Sequence, residues 1–389
     1  MKPRNKAGLY LHIPFCRSKC PYCDFYSLRV PGDRSPQTEQ NRAAREKTDA
    51  YLDALCDELE TGRRAAAFTD GDRPVISSVY IGGGTPSAVP AEKLAKVLET
   101  AFRYYPVENG AEITVEANPS SADAAFFRAM KRAGANRVSL GMQSALDDER
   151  RALGRTAGFD GVKRAVSAAR DAGFDNLSLD LMLGVPGQTA ESLAESVSLC
   201  AELAPEHVSA YILQLEEDTP FYARRDRLAL PDEDAVCDMY RALVSRLGEY
   251  GFAQYEISNF ARPGFESRHN TNYWRCGEYL GVGAAAHSFL NGRRFYYPRD
   301  IDSFIAGGVP ADDGEGGTPE EFVMLALRTA RGLRYDDYEA YFGAPADGKY
   351  EAAARRLPER YVRFFDGGFS LTVEGFLLSN TVIAGVLCG

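Results

Sequence analysis

Residues 9–23 read Leu-Tyr-Leu-His-Ile-Pro-Phe-Cys-Arg-Ser-Lys-Cys-Pro-Tyr-Cys. The first five residues are an apolar, strand-like run. Pro14 ends it, and the loop that follows carries Cys16, Cys20 and Cys23 in a C-x3-C-x2-C spacing. Thiols this close together in a reducing compartment usually hold metal. Three thiolates are one short of the four that close a structural zinc site or an ordinary four-cysteine cluster. An iron–sulfur cubane on three cysteines leaves its fourth iron open to chelation by a small molecule with an amine and a carboxylate. The competing reading is zinc held by the same cysteines plus His12 or a distant group. Phe15, Pro21 and Tyr22 would shield a cluster from water. Cys56, Cys200, Cys237, Cys276 and Cys388 are scattered and read as small core hydrophobes. Eight cysteines in 389 residues are too dilute for a disulfide scaffold.

Composition narrows the classes. Hydrophobic residues at 45% and charged residues at 26% are ordinary for a globular enzyme and exclude disordered, collagen-like and coiled-coil chains. The balance of 45 Lys+Arg against 55 Asp+Glu gives −10, which offers no field for phosphate backbones, so nucleic acid is not expected as a partner. No apolar run is long enough to span a bilayer. The basic start, residues 1–6, is not followed by an uninterrupted apolar segment of the kind a secretion signal needs. A cytoplasmic protein is expected.

From about residue 8 to 260 the chain alternates strand and helix patterns. Strand-like runs fall at 9–13, 75–81, 112–116, 137–141, 177–183 and 208–213, with helical patterns at 48–67, 91–104, 122–133, 160–172, 190–203 and 232–250. This rhythm predicts parallel βαβ units. A complete or partial β/α barrel follows, with its chemistry at the C-terminal strand ends, and an open doubly wound sheet is the alternative. The run 80–86, Tyr-Ile-Gly-Gly-Gly-Thr-Pro, opens a strand into three glycines whose backbone could approach a ligand closely. Polar residues at later strand ends, Glu116, Gln143 and Asp180, with Arg155 just beyond the fourth strand, would converge on the same mouth. Residues 31–48 read as a solvated insertion and 307–319 as a linker before a helical or winged-helix-like tail.

Together these motifs resemble the radical S-adenosylmethionine superfamily, and within it the branch that holds oxygen-independent coproporphyrinogen III dehydrogenases and HemW-type heme chaperones. The resemblance covers nearly the whole chain. It implies a [4Fe–4S] cluster on Cys16, Cys20 and Cys23, and S-adenosylmethionine contacted by Tyr10, Tyr22, Gly83, Gly84, Thr85, Glu116, Gln143, Arg155 and Asp180. The superfamily's reaction is one-electron reductive cleavage of that cofactor, whose chemistry the protein positions. The fold expected is a partial (β/α)6-type barrel over residues 1–260, a connecting segment with the heme site over 261–310, and a small C-terminal domain over 318–389.

Two features favour the chaperone over the dehydrogenase. The dehydrogenase pattern carries a fourth cysteine two residues after the third, where this chain has Phe25 after Asp24. Residues 269–274, His-Asn-Thr-Asn-Tyr-Trp, match the chaperones' H-N-x-x-Y-W signature and include the one tryptophan. His269 becomes the candidate heme-iron ligand, with Cys276 nearby. On residue type alone, His269 could instead cap a helix with Tyr273 and Trp274 in the core. The resemblance implies heme and heme-acceptor proteins as partners, a reductant for the cluster, and peripheral contact with any membrane-bound acceptor. Decarboxylation of coproporphyrinogen III is the rival activity, and it is expected to be absent.

Overall fold

In a computed structural model, residues 6–32, 35–69 and 73–388 are described. Most of the basic start therefore lies outside the described residues. The dominant feature is a twelve-stranded sheet. Its parallel part begins with β1 (Lys6–Ile13), β2 (Val75–Gly83), β3 (Val107–Ala117), β4 (Arg137–Gln143), β5 (Asn176–Leu183) and β6 (His207–Ile212). These lie side by side in chain order. The crossovers contain α1 (Glu39–Thr61), α2 (Ala91–Tyr104), α3 (Ala124–Arg132), α4 (Asp147–Ala152), α5 (Phe159–Asp171) and α6 (Ala190–Glu202), with α7 (Glu233–Glu249) after β6.

The barrel does not close. An antiparallel hairpin, β7 (Ala253–Glu256) and β8 (Asn259–Ala261), borders β6. After the short helix α8 (Arg268–Trp274), β9 (Tyr279–Val282) runs parallel to β1 on the opposite flank. The antiparallel strands β10 (His287–Leu290), β11 (Arg293–Tyr296) and β12 (Ala311–Glu315) extend that flank. A short helix, α9 (Ile301–Ile305), lies between the last two. The architecture is the expected partial barrel, with the sheet widened by strands from the connecting segment.

One face of each parallel strand is aliphatic and the other polar. Leu9, Leu11, Val79, Ile81, Val115, Val138, Leu140, Leu177, Leu179 and Val208 are fully buried beneath the helix layer. The alternate positions carry Ser78, Tyr80, Thr114, Glu116, Arg137, Ser139, Ser178, Asp180, His207 and Ser209 toward the concave side. Strand residues two apart share a face, so each strand separates a dry outer core from a polar inner surface.

Two stretches differ from their expected roles. The stretch 31–48 is only partly a loop, because Thr38 caps α1 by accepting the Asn41 N–H and the helix begins at Glu39. The polar residues there form the solvated first turns of a helix whose later turns bury Tyr51, Leu52, Leu55 and Leu59. The stretch 307–319 is not a bare linker, since β12 inside it pairs with β11. Beyond it lie α10 (Pro319–Ala326), β13 (Leu333–Arg334), α11 (Tyr335–Phe342), α12 (Gly348–Ala354), β14 (Val362–Phe365), β15 (Gly368–Leu371), α13 (Val373–Leu377) and α14 (Ser379–Cys388). The three strands form a small antiparallel sheet among the helices, as a winged-helix-like unit would. No helix among the described residues is long and apolar enough to cross a membrane.

Helix α8 is held at the N-terminal end of the parallel strands by Glu112 of β3. Its carboxylate accepts the backbone N–H groups of Arg268 and His269 and the Ser267 hydroxyl. Removing it orphans buried donors, each costing about 1–3 kcal/mol. Glu112→Ala is expected to lower the denaturant midpoint by an equivalent of about 2 kcal/mol, measured by chemical unfolding against the parent protein. An unchanged midpoint would show that α8 is not anchored this way.

Candidate cluster and cofactor site

Cys16 ends a two-residue strand, Phe15–Cys16, paired in parallel with Leu28–Arg29. The Leu28 N–H donates to the Pro14 carbonyl at 2.8 Å, and the Val30 N–H donates to the Cys16 carbonyl at 2.8 Å. The cysteine loop is therefore drawn back against the strand that feeds it. Inside the loop the Cys23 N–H donates to the Cys20 carbonyl at 3.2 Å. Cys16, Cys20 and Cys23 are free thiols and half-buried. Burial pushes the Cys16 and Cys23 thiols up, and neighbouring cysteines of the trio add to it. Such thiols become thiolates readily only when a cationic centre is supplied. Among the described residues, no group of three or more Cys, His, Asp or Glu side chains stands ready to hold a single metal ion.

His12 does not join the cysteines. Its Nδ1 meets the Tyr10 hydroxyl at 2.9 Å and its Nε2 meets the Tyr26 carbonyl at 3.4 Å. Burial lowers its pKa to about 4, so the ring is neutral at pH 7. The reading in which His12 completes a zinc site therefore lacks its fourth ligand.

The glycine turn is fitted to this loop. The Gly84 N–H donates to the Ile13 carbonyl at 2.9 Å, and the Thr85 N–H donates to the Phe15 carbonyl at 2.7 Å. The Thr85 hydroxyl lies 3.3 Å from Cys16 Sγ. A Cβ on Gly84 would stand 2.7 Å from the Phe15 carbonyl oxygen, and one on Gly83, whose φ is +110°, would stand 2.5 Å from the His12 ring. The glycines are thus required first by the protein's own packing. Ligand approach can use only what those bonds leave free.

The remaining candidates share the concave face. The Tyr80 hydroxyl donates to Glu116 at 2.7 Å and the Ser139 hydroxyl to Asp180 at 3.0 Å. Burial foremost, then the charge of Asp180, pushes Glu116 from 4.5 to about 7, against the hydrogen bond from Tyr80. Burial likewise pushes Asp180 from 3.8 to about 6, against hydrogen bonds from Ser209 and Ser139. Both carboxyls keep part of their surface open on the concave side. Asp180 sits mid-strand in β5 rather than at its end. Gln143 ends β4 with φ +67°, a left-handed conformation that costs a non-glycine residue energy and turns the chain at the mouth. Gln143 and Arg155 come together near Gly141. Arg155 donates to the Tyr22 hydroxyl at 2.7 Å, joining the cysteine loop to the strand ends. Leu153, Met182, Val185 and Phe221 form a small apolar cluster against Tyr22. The Phe221 N–H donates to the Pro21 carbonyl at 2.9 Å.

His269 lies elsewhere. It is the second residue of α8, at the far end of the strands from the cysteine loop. Ser267, not His269, caps the helix by accepting the Asn270 N–H. The His269 ring is 1% exposed, with Nδ1 2.9 Å from the Ser78 hydroxyl and Nε2 2.7 Å from the Tyr273 hydroxyl. Burial, then Arg137, lowers its pKa to about 3. Both ring nitrogens are engaged, so His269 meets no ligand iron in this conformation. Tyr273 supports that ring, while Trp274 is only half-buried.

Arg137 was not among the expected residues. It is fully buried and bears electrostatically on Glu116, Asp180, His207 and His269 at once. The signal was present in the alternation Arg137-Ser139-Gly141-Gln143, a polar face on a strand whose other face is Val138-Leu140-Met142.

The residues fit the implied groups. A trio of thiols with no fourth suits a cluster with an open iron. Carboxyls with raised pKa values would ionise opposite an arriving ammonium or sulfonium, and Arg155 suits a carboxylate.

The Radical SAM superfamily profile matches residues 10–200, and the HemN C-terminal domain profile matches residues 318–378. The chain is 34% identical to the heme chaperone HemW of Bacillus subtilis, over 97% of this chain and 98% of that protein. It is 36% identical to HemW of Mycobacterium tuberculosis strain H37Rv (99% and 96%) and 33% identical to HemW of Escherichia coli K12 (97% and 97%). Among solved structures, coproporphyrinogen III oxidase (HemN) of Escherichia coli superposes with a TM-score of 0.80, covering 99% of this chain and 91% of that one at 21% identity. That likeness establishes the fold.

The raised carboxyls set a pH dependence. They are more protonated in the folded state than in the unfolded one between about pH 4 and 7, so stability falls as pH rises through that window. In metal-free protein, Glu116→Gln should remove part of that fall. Its denaturation midpoint relative to the parent should be higher at pH 8 than at pH 5. A relative midpoint that is equal at the two values would mean that Glu116 is not carrying a buried charge.

Proposed function

The chain belongs to the HemW heme-chaperone family of the radical SAM superfamily, and from that premise we propose that it binds heme and delivers it to acceptor proteins. Similarity to heme chaperones along the whole chain is the observation that carries this reading. Asp24-Phe25 in place of the dehydrogenase's fourth cysteine supports it. In this reading Cys16, Cys20 and Cys23 hold a [4Fe–4S] cluster. S-adenosylmethionine meets Tyr10, Tyr22, Gly83, Gly84, Thr85, Glu116, Gln143, Arg155 and Asp180. When bound, the pair supplies one-electron chemistry.

The chain's own residues prepare that site in definite ways. The Gly84 and Thr85 N–H groups are taken by β1 and the cysteine loop, so the turn offers carbonyl oxygens rather than donors. Glu116 and Asp180 present carboxyls that ionise toward a positive ligand, and Arg155 with Gln143 presents donors at the rim. Phe15, Pro21 and Tyr22 limit water around the thiols. The barrel is assigned to residues 1–260, the connecting segment to 261–310 and the small C-terminal domain to 318–389. A reductant for the cluster and acceptor proteins, some reached at a membrane surface, are the partners this function needs. A cytoplasmic location suits three free thiols.

Replacing any one of Cys16, Cys20 or Cys23 with Ala should abolish the brown chromophore of anaerobically reconstituted protein and lower its iron and sulfide content. Persistence of the chromophore in those variants, or its loss on Cys200→Ala, would reassign the ligands. The function itself is tested by titrating heme into reconstituted protein and incubating the same preparation with coproporphyrinogen III, dithionite and S-adenosylmethionine. Stoichiometric heme binding without decarboxylated product is expected. Formation of protoporphyrinogen IX would replace the chaperone with the dehydrogenase.

A further inference from the structure

A large cavity lies at the opposite end of the parallel strands from the cysteine loop. It is a groove of about 1440 Å³ between α8, the N-terminal ends of β1 and β2, and α10, β13 and α11 of the C-terminal unit. Ordinary small-ligand sites span roughly 300–1,000 Å³, so this groove has room for a macrocycle. Its walls include Trp274, Tyr255, Phe322 and Tyr341. These aromatics can lie against a flat apolar face.

Two neighbouring side chains in the groove have unmet bonding capacity. The Trp274 indole N–H is buried and has no acceptor. An indole can only donate, so this group is left unpaired within the protein while the ring itself lines the groove. Arg275, the next residue, is exposed and makes no side-chain ion pair or hydrogen bond among the described residues. The groove is lined by five Lys or Arg residues against three carboxylates, in a chain whose net charge is −10. A local positive excess on an acidic protein selects an anion. Lys6 is paired with Glu108, Arg268 with the Gly110 carbonyl and Arg331 with Asp337, and Arg334 lies over the Phe365 ring, so among the described residues Arg275 is the groove cation without a partner.

We infer that this groove seats the heme, with the macrocycle against Trp274 and Tyr341 and a propionate on Arg275. The inference rests on the proposed chaperone function and adds a location to it, at the N-terminal end of the strands rather than beside the cysteine loop. His269 then acts as a positioning residue. Its bonds to Ser78 and Tyr273 fix α8 from inside, and α8 in turn presents Trp274 and Arg275 to the groove.

The test uses full-length reconstituted protein with heme as the probe. Arg275→Glu reverses the free charge, and Ala340→Trp fills the groove from an exposed position on α11. Both should weaken heme binding roughly tenfold or more, read by the Soret absorbance during titration. The cluster absorbance and S-adenosylmethionine binding of the same samples should match the parent and serve as the check on folding. Arg275→Lys, which keeps the charge but loses the planar fork, should fall between Arg275→Glu and the parent. Heme titration unchanged in Ala340→Trp overturns the location while leaving the chaperone function standing. Absence of heme binding by the parent protein overturns the function itself.

Discussion

Two backbone hydrogen bonds organise the cofactor end of the molecule: Gly84 N–H to the Ile13 carbonyl, and Thr85 N–H to the Phe15 carbonyl. They join the end of the first strand to the end of the second just where the cysteine loop departs. A Cβ on Gly84 would sit inside van der Waals distance of the Phe15 backbone, so only glycine permits the approach. The same contact brings the Thr85 hydroxyl to Cys16, and Phe15 in turn packs edge-on to Tyr51 at 5.3 Å. Tyr51 closes the loop of dependence. Its hydroxyl donates to the His12 carbonyl and accepts from the Ala284 N–H beyond β9, so the cysteine loop is fixed from both flanks of β1.

The second constraint is the polarity of the concave face. Helices on the outer side bury the aliphatic residues, and the inner side is left with serines, tyrosines, histidines, the acids Glu112, Glu116 and Asp180, and Arg137. Such groups inside a barrel are tolerable only when mutually bonded. Most of them are. Ser78 bonds His269, Ser178 and Tyr255 bond His207, Ser139 bonds Asp180, and Tyr80 bonds Glu116. Glu116 and Asp180 keep some open surface, and burial raises their pKa values against the hydrogen bonds they accept. Arg137 offsets part of the cost from below, which leaves the upper side of both carboxyls able to respond to a cation.

Much of this was legible in the chain. Strand and helix rhythm gave the parallel units, and the cysteine spacing with GGGTP located the loop and the turn it meets. Polar residues at strand ends were legible too, because Glu116, Gln143 and Arg155 interrupt otherwise apolar patterns. What the chain concealed is physical in origin. The runs at 137–141 and 177–183 are legible as strands, but a charged residue on the polar face of a strand ordinarily faces solvent, so the sequence does not reveal that Arg137 is buried. The start of α1 was hidden because its first turns are polar and mostly solvated. The depth of His269 was hidden because a motif gives residue identity but not burial. Only the three-dimensional pairing with Ser78 and Tyr273 shows that its nitrogens are already spent.

The position of α8 ties the two ends of the molecule together. A column of rings runs through the concave interior: Tyr10 stacks on Tyr80, Tyr80 stacks on His269 at 5.2 Å, and His269 meets Tyr273 edge-on at 4.8 Å. Tyr10 contacts His12, whose carbonyl is held by Tyr51 beneath the cysteine loop. Tyr273 sits one residue before Trp274 of the groove. Close-packed interiors transmit displacement rather than absorb it. A change in the cysteine loop that moved β1 would therefore bear on the His269 ring and on the helix it fixes. This gives a physical link between the three clustered cysteines at the C-terminal strand ends and the groove beside Trp274 at the N-terminal ones. The sheet separates the two chemistries, and the polar column keeps their geometries in register.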